Sequence, residues 1–124
     1  MDLGLFAEYF TTHISITALV YDNRCLGASE GLPRGEIIPY LQQSDLQDAI
    51  TFVRTLEEVD PDKIAIWGTS YSGGHVLQVA AIDRRVKAVL AQASLINGWE
   101  TFRRMVRANE LAELEKIFMS GFTY

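Results

Sequence analysis

The chain has 124 residues, which accommodates one domain and excludes a second one of ordinary size. With 48% hydrophobic and 22% charged residues it has the composition of a folded globular protein, not of a disordered or fibrous one. The net charge of −5 argues against nucleic acid or an anionic membrane as a partner. A single cysteine, Cys25, excludes an internal disulfide, and the N-terminus lacks the basic start of a signal peptide, so we expect a cytoplasmic protein.

The first half of the chain predicts a helix, a strand, a loop and a second helix. Residues 3–10 have a helical pattern, and residues 14–21 are rich in the β-branched and aromatic residues of a strand. A loop rich in glycine and proline follows from residue 22 to residue 40. Ser44, with Gln47 three residues later, matches a capping box and predicts the start of the next helix, which Pro61 closes.

The second half continues the alternation. A short apolar run at residues 64–67 predicts a strand over residues 63–67 that is buried on both faces, and a turn of small residues follows at 68–74. Residues 75–82 predict an almost wholly apolar, buried helix, and residues 86–91 predict a third strand. One or two helices follow from Trp99 onward. This order predicts an α/β fold in which helices flank a parallel sheet.

The turn at 68–74 carries the main chemical signal. A buried strand leads into Gly68, Ser70 follows two residues later, and small residues then lead into a helix, which is the layout of a nucleophile elbow. Such a serine adopts a strained backbone that requires small residues two positions before and after it, here Gly68 and Ser72. We therefore predict Ser70 as a nucleophile, with the backbone N–H of Tyr71 as an oxyanion donor and Gly73 supporting the turn.

Two other interpretations of the turn remain open. Ser72 as the nucleophile would have Ser70 and Gly74 as its flanks, a poorer match to the elbow. The segment also suits a plain strand-to-helix turn, or one that binds a phosphate or another anion at the helix N-terminus. No Gly-x-x-x-x-Gly-Lys or Gly-x-Gly-x-x-Gly pattern is present to support a nucleotide site.

Two motifs together resemble the α/β-hydrolase superfamily. One is the segment Gly68-Thr69-Ser70-Tyr71-Ser72-Gly73-Gly74, although the superfamily usually has glycine where Ser72 stands. The other is the loop of residues 22–31, which is similar to the family pattern Asp-x-Arg-x-x-Gly-x-Ser-x-Gly. The Asp-Asn-Arg sequence of residues 22–24 and the segment 95–102 are most similar to fungal polyketide thiohydrolases and polyketide transferases. The bacterial dienelactone-hydrolase-like and Xaa-Pro-peptidase-like branches of the superfamily share much of the elbow segment.

The resemblance implies a function and a division of the chain. It implies a partial α/β-hydrolase core over residues 1–97, and the start of lid or cap helices over residues 98–124. It implies a serine hydrolase or acyltransferase that acts on esters or thioesters, including polyketide thioesters of secondary metabolism. The substrate would be free or attached to a carrier protein, and the covalent acyl chemistry calls for no metal and no organic cofactor.

A catalytic base and acid are not evident. The two histidines, His13 and His75, are predicted to be structural, since one lies before the first strand and the other points down the elbow helix. Asp22 is predicted to cap its loop and to pair with Arg24, and Glu100 to be a solvated residue at a helix start. The alternative hypothesis is therefore a truncated or degenerate, noncatalytic hydrolase-like protein, and a less favoured one is an α/β binding domain with an anion site at the elbow.

The resemblance also predicts an incomplete sheet. The N-terminal and C-terminal strands of the family, and its His-Gly oxyanion loop, have no counterpart in these residues, so the chain looks like the middle of a larger protein. The family's third strand would lie between segments 14–21 and 63–67, which should stand about 9–10 Å apart or close up to pair directly. Exposed sheet edges should then favour self-association.

Several other residues allow more than one interpretation. Cys25 is predicted to be an ordinary thiol. The three arginines of the C-terminal segment suit either a solvated face or contact with an acidic carrier protein, and its large apolar residues suit either an acyl pocket or core packing. These residues are Arg103, Arg104 and Arg107, and Trp99, Phe102 and Met105.

Overall fold

The computed structural model describes residues 3–120, without the side chains of residues 108, 109 and 118–120. The ends of the predicted core and lid regions, residues 1–2 and 121–124, lie outside this part. Helices and strands alternate in it as an α/β fold, and none of its helices is long and apolar enough to cross a bilayer. The elements are α1 (Leu3–His13), α2 (Pro39–Val53), β1 (Ile64–Thr69), α3 (Tyr71–Ile82), β2 (Val86–Gln92), α4 (Gly98–Met105) and α5 (Ala108–Ser120).

The sheet of the described residues consists of β1 and β2, which run parallel. The register pairs Ala65 with Ala88 and continues to Thr69 opposite Gln92. α3 connects the two strands and packs on both of them, which makes this part a β-α-β unit. The strands predicted at 63–67 and 86–91 are confirmed, and each extends slightly further toward its carboxyl end.

The core lies between the sheet and the helices α2 and α3. Its buried residues are Ile50, Ile64, Ile66, Val76 and Val79. Along β1 the residues alternate between buried and more exposed, so the prediction that this strand is buried on both faces is wrong. Helices α2 and α3 pack on the face of Ile64 and Ile66. On the other face Trp67 contacts the rings of Phe6 and Phe10 of α1.

Helix α3 is only partly buried, which also differs from the prediction. It begins at Tyr71 and buries four residues, including His75 and Val76. Leu77 and Ile82 are 38% and 65% exposed because the part of the helix that faces away from the sheet and α2 has no neighbour in the described chain.

Residues 14–21 form no strand, so that prediction is wrong. Their backbone is irregular, with a positive φ at Ser15, and Ile14, Ile16 and Val20 are about half exposed. A strand needs a neighbour that accepts and donates backbone hydrogen bonds. Within residues 3–120 one edge of β1 is paired with β2, and no strand is paired with the segment 14–21.

Helix α2 begins five residues earlier than predicted. Its N-cap is Ile38, which makes no side-chain cap, and Pro39 occupies the first helical position, where its fixed φ favours helix initiation. Ser44 therefore lies inside the helix, and the predicted capping box is wrong. The helix ends at Val53, with Arg54 as its C-cap.

Candidate active site

Ser70 occupies a sharp, strained turn between β1 and α3. Its backbone has φ +54° and ψ −115°, a combination that residues with a side chain rarely adopt and that costs on the order of 1–3 kcal/mol. The residue is exposed, and its side chain makes no capping bond to α3. The hydroxyl therefore projects at the carboxyl end of β1 without being used to hold the helix.

The backbone of Ser70 is held by the end of the neighbouring strand, β2, and by the turn that follows it. Its N–H donates to the carbonyl oxygen of Gln92 at 2.9 Å, and its own carbonyl oxygen accepts from the N–H of Leu95 at 2.8 Å. A second residue with a positive φ, Ala93 at +47°, forms the turn that brings both partners into place. These two hydrogen bonds, which we call the brace of Ser70, were not predicted from the sequence, because no residue type in 92–95 indicates a backbone contact with the elbow.

The small residues of the elbow are required by close backbone approaches. A Cβ at Gly68 would lie 2.4 Å from the carbonyl oxygen of Ser72, and one at Gly74 would lie 2.4 Å from that of Leu95. A Cβ at Gly73 would lie 3.1 Å from the Cα of Ser94. Strand, helix and the turn after β2 thus meet where only glycine fits.

Ser72 stands where the family pattern has glycine, and the structure shows why a serine fits. Its side chain is exposed, and its hydroxyl donates to the carbonyl oxygen of Thr69 at 3.0 Å. The tight approach to Gly68 uses the backbone of Ser72, not its side chain. The substitution therefore adds one hydrogen bond across the turn without crowding it.

The N-terminus of α3 faces the same region as the Ser70 hydroxyl. The first N–H groups of a helix have no partner within the helix and carry its positive partial charge. Tyr71 is the first residue of α3, so its N–H is one of these groups. An oxygen that gains negative charge next to Ser70 would be stabilised by this arrangement.

Both histidines of the chain are engaged away from Ser70. The imidazole of His13 lies on the exposed end of α1, with Nδ1 2.9 Å from the carbonyl oxygen of Tyr9. His75 is buried, with Nε2 3.2 Å from Oε1 of Gln42, and this burial lowers its pKa. Among the described residues, neither imidazole is hydrogen-bonded to Ser70.

The carboxylates near the site have local partners. Asp22 accepts from the N–H of Ala28 at 2.9 Å, which is the predicted loop cap. The predicted pair with Arg24 is wrong: Arg24 binds Asp45 on α2 instead, because that carboxylate accepts from both its backbone N–H at 2.9 Å and its Nε at 2.7 Å. Glu100 is exposed near the start of α4 and lies 3.5 Å from Arg103.

The loop of the second motif is closed by its own motif residues. The hydroxyl of Ser29 donates to the carbonyl oxygen of Asp22 at 2.5 Å. A Cβ at Gly27 would overlap the carboxylate of Asp22, and one at Gly31 would lie 2.8 Å from Sγ of Cys25. The motif therefore builds a compact loop on α2.

One open depression of the described residues lies away from Ser70. This depression of about 500 Å³ separates the segment 19–24 from α2, and Ser70 is not among its lining residues. Burial, and secondarily the charge of Asp45, raises the pKa of Tyr21 in its wall to about 12. No group of three or more His, Cys, Asp or Glu side chains in residues 3–120 is placed to hold a metal ion.

Comparison with known proteins places this geometry in a family. The family described as X-Pro dipeptidyl-peptidase (S15 family) matches residues 16–120. A thiohydrolase of Arthrinium phaeospermum is 54% identical over 76 residues, which are 61% of this chain and 25% of that protein. The quorum-quenching protein AidA of Acinetobacter baumannii is 41% identical over 105 residues, 85% of this chain and 34% of that protein.

A solved structure agrees with the sequence relatives. The crystal structure of the α/β hydrolase GrgF from Penicillium sp. sh18 superposes with a TM-score of 0.72 at 35% identity, covering 97% of this chain and 42% of that one. The chain thus spans between a quarter and less than half of the length of these proteins. The chain belongs to the X-Pro dipeptidyl-peptidase (S15) family of α/β hydrolases and is similar to fungal thiohydrolases and polyketide transferases.

Proposed function

We propose that the protein is a serine hydrolase or acyltransferase that acts on esters or thioesters, with Ser70 as its nucleophile. The observation that carries the proposal is the backbone of Ser70, whose positive φ occurs where β1 ends and α3 begins, with an exposed side chain that makes no capping bond. Gly68, Ser72 and Gly73 support this turn, and the N–H of Tyr71 supplies one oxyanion donor.

The proposed reaction is covalent acyl transfer. Oγ of Ser70 attacks the acyl carbonyl carbon, the carbonyl oxygen takes up the negative charge near the N–H of Tyr71, and the alcohol or thiol leaves as the acyl-serine forms. Water then releases the acid, or an acceptor hydroxyl or amine takes the acyl group. The serine proton passes to a general base and from it to the leaving alcohol or thiol. This base is neither His13 nor His75, because both imidazoles are engaged elsewhere.

The finer proposal is a polyketide thioester substrate in secondary metabolism. It is supported by relatives named as thiohydrolases and polyketide transferases, among them those of Eupenicillium brefeldianum and Penicillium crustosum. A carrier protein would dock on α4, the start of the proposed lid region 98–124. Its exposed Arg103 and Arg104 form a basic patch in a chain whose net charge is −5, which suits an acidic carrier.

A noncatalytic hydrolase-like protein is the second candidate. The observation that favours it is that neither His13 nor His75 is hydrogen-bonded to Ser70. In either case we propose a cytoplasmic location, supported by the single, buried Cys25, which forms no disulfide.

We also propose that this chain self-associates through its sheet. Six of the seven residues of β2 are exposed, including Val89 at 37% and Leu90 at 57%, and its outer edge has no partner strand among the described residues. Light scattering across a concentration series should show growth of the particle mass, and Leu90→Lys should suppress it. A mass that stays monomeric at high concentration would contradict self-association.

An acyl-enzyme experiment tests the proposed function. The chain is mixed with an acyl N-acetylcysteamine thioester, and intact mass spectrometry records an adduct of one acyl group. In parallel, a chimera carries residues 3–120 of this chain in place of the matching segment of GrgF. We expect an acyl adduct on Ser70 in at least one of the two proteins.

Two variants make the result specific. Ser70→Ala should abolish the adduct, whereas Ser72→Ala removes only the hydroxyl that bonds to Thr69 and should retain it. An adduct that survives Ser70→Ala contradicts the nucleophile assignment. No adduct in either protein supports the noncatalytic candidate.

A further inference from the structure

We propose that His75 is a positioning residue. It contacts α2 through hydrogen bonds and the first residue of α3, Tyr71, through its ring, and so holds the N-terminus of α3 in place. The inference rests on the proposed function, since the feature it positions is the Ser70–Tyr71 peptide. It gives a role to a buried imidazole that the proposed reaction does not use.

The imidazole of His75 is bound by two glutamines of α2. Its Nε2 lies 3.2 Å from Oε1 of Gln42, which is itself buried and can only accept. Its Nδ1 lies 3.4 Å from Nε2 of Gln43, which can only donate, and the same amide donates to Oε1 of Gln78 at 2.8 Å. These partners select one neutral tautomer, with the proton on Nε2. Burial, which lowers the pKa of His75, favours the same neutral form.

The other contact of the ring is with the elbow. The rings of His75 and Tyr71 meet edge to face, with centroids 4.5 Å apart and an interplanar angle of 70°. The two residues are four positions apart, so they lie one helical turn from each other on α3. Such a contact is favourable beyond the area it buries. It fixes the side chain of the residue whose N–H faces the reacting oxygen.

The contacts form a continuous path from α2 to the strained serine. Gln42 fixes the ring of His75, the ring fixes Tyr71, and Tyr71 is joined to Ser70 by one peptide bond. On its other side Ser70 is held by the backbone of Gln92 and Leu95. A strained conformation persists only while its surroundings hold it. Loss of the contacts of His75 with Gln42 and Tyr71 should therefore let the backbone of Ser70 relax toward ordinary dihedral angles.

Amide hydrogen exchange of the 124-residue chain measures this directly. His75→Leu removes both the polar and the ring contacts, whereas His75→Gln keeps an amide that can bond to Gln42. Val79→Ala is the matched control, because Val79 is fully buried on the same helix but belongs to the core cluster. The readout is the exchange of the Ser70 N–H, which bonds to Gln92, relative to that of Ile66 in β1.

The expected result is selective loosening of the elbow. In His75→Leu the Ser70 amide should exchange about tenfold faster relative to Ile66, the equivalent of about one lost hydrogen bond. His75→Gln should fall between this variant and the unmodified chain, and Val79→Ala should accelerate both amides equally. Equal acceleration in His75→Leu, or imidazole ¹⁵N shifts that show the proton on Nδ1, would overturn the proposal.

Labelling with a fluorophosphonate separates this proposal from the proposed function. If both hold, His75→Leu labels Ser70 more slowly than Val79→Ala at equal stability. If Ser70 is not a nucleophile, neither the unmodified chain nor the chimera with GrgF is labelled, yet the amide exchange still decides the role of His75. If His75 is merely structural, labelling is as fast in His75→Leu as in Val79→Ala.

Discussion

Two apolar runs of similar length and composition, residues 14–21 and Val86–Gln92, have different fates in this molecule. The second is a strand that pairs with β1 in register, whereas the first has irregular backbone and about half-exposed side chains. The difference lies in the neighbours, since β1 gives Val86–Gln92 a parallel partner strand, with one register shift between Ile64 and Ala65. β propensity describes how well a residue suits a pleated, paired surface, and it produces a strand only where such a partner exists.

The two regions also differ in how a residue with a positive φ is held. Ser70 is strained, yet it is held by hydrogen bonds to residues 92 and 95 and by glycines that allow close approach. Ser15 also has a positive φ but lies in the unpaired segment. Pairing with β2 and the turn after it thus support both a strand and the strained backbone of the proposed nucleophile, Ser70.

The largest expected effect comes from truncating the core of the paired region. Ile66→Ala, at a site that is 6% exposed, should destabilise the fold by about 3 kcal/mol, through lost burial and the cavity left behind. Ile16→Ala is the matched control in the unpaired segment, where the side chain is 47% exposed, and should change stability by less than about 0.5 kcal/mol. Urea unfolding followed by circular dichroism measures both, and equal losses would break the comparison.

The next effect is at the elbow itself. Gly68→Ala places a Cβ 2.4 Å from the carbonyl oxygen of Ser72, so the backbone must shift, at a cost of about 2 kcal/mol. Gly98→Ala is the control, because its added Cβ would meet nothing closer than 4.0 Å, and it should leave stability nearly unchanged. Urea midpoints compare the two, and a neutral Gly68→Ala would show that strand and helix are not in close contact.

The ion pair of Asp83 and Arg85 gives a pH dependence with a defined sign. The Arg85 guanidinium and backbone N–H, by hydrogen-bonding the carboxylate, lower the pKa of Asp83 from 3.8 to about 2. Because the folded pKa is depressed, this stabilisation is complete above about pH 4 and is lost as the pH falls toward 2.

Asp83→Asn tests that sign. The variant should be less stable by about 1 kcal/mol at pH 7, and the difference from the unmodified chain should shrink between pH 4 and pH 2. Urea midpoints across this range measure the difference. A difference that stays constant down to pH 2 would show that the carboxylate charge contributes nothing.

The smallest expected effect is in the loop on α2. Asp45→Asn weakens the contact with Arg24, whose Nη2 lies 2.6 Å from the carboxylate, and should let the loop open more often. Cys25 is 5% exposed and is the single cysteine of the chain, so its reaction with a thiol reagent reports this opening. We expect about a fivefold faster reaction, as for the loss of a partly exposed ion pair. Glu57→Gln, at an exposed carboxylate outside both the loop and α2, should leave the rate unchanged.

Local patterns predicted the α/β alternation, both paired strands and the position of Ser70 at the turn. These features follow from apolar periodicity and from small residues at fixed spacing, which act within a few residues. The resemblance likewise predicted the loop of residues 22–31, in which Gly27 lies against Asp22 and Gly31 against Cys25, all within ten positions of one another.

Contacts between distant segments were not predictable from the sequence. The start of α2 at Pro39, the pairing of Arg24 with Asp45 and the brace of Ser70 by Gln92 and Leu95 depend on tertiary packing. The strand prediction for residues 14–21 failed for the opposite reason. The residue types are those of a strand, but in the part of the chain that the structure describes no strand pairs with this segment.

The most direct test of the account is the site at which a fluorophosphonate becomes attached. The chain, and the chimera with GrgF, are incubated with the probe, digested, and the modified peptide is sequenced by mass spectrometry. The account predicts one adduct, on the hydroxyl of Ser70, that Ser70→Ala removes and Ser72→Ala keeps. An adduct on Ser72, or unmodified peptide from both proteins, would contradict it.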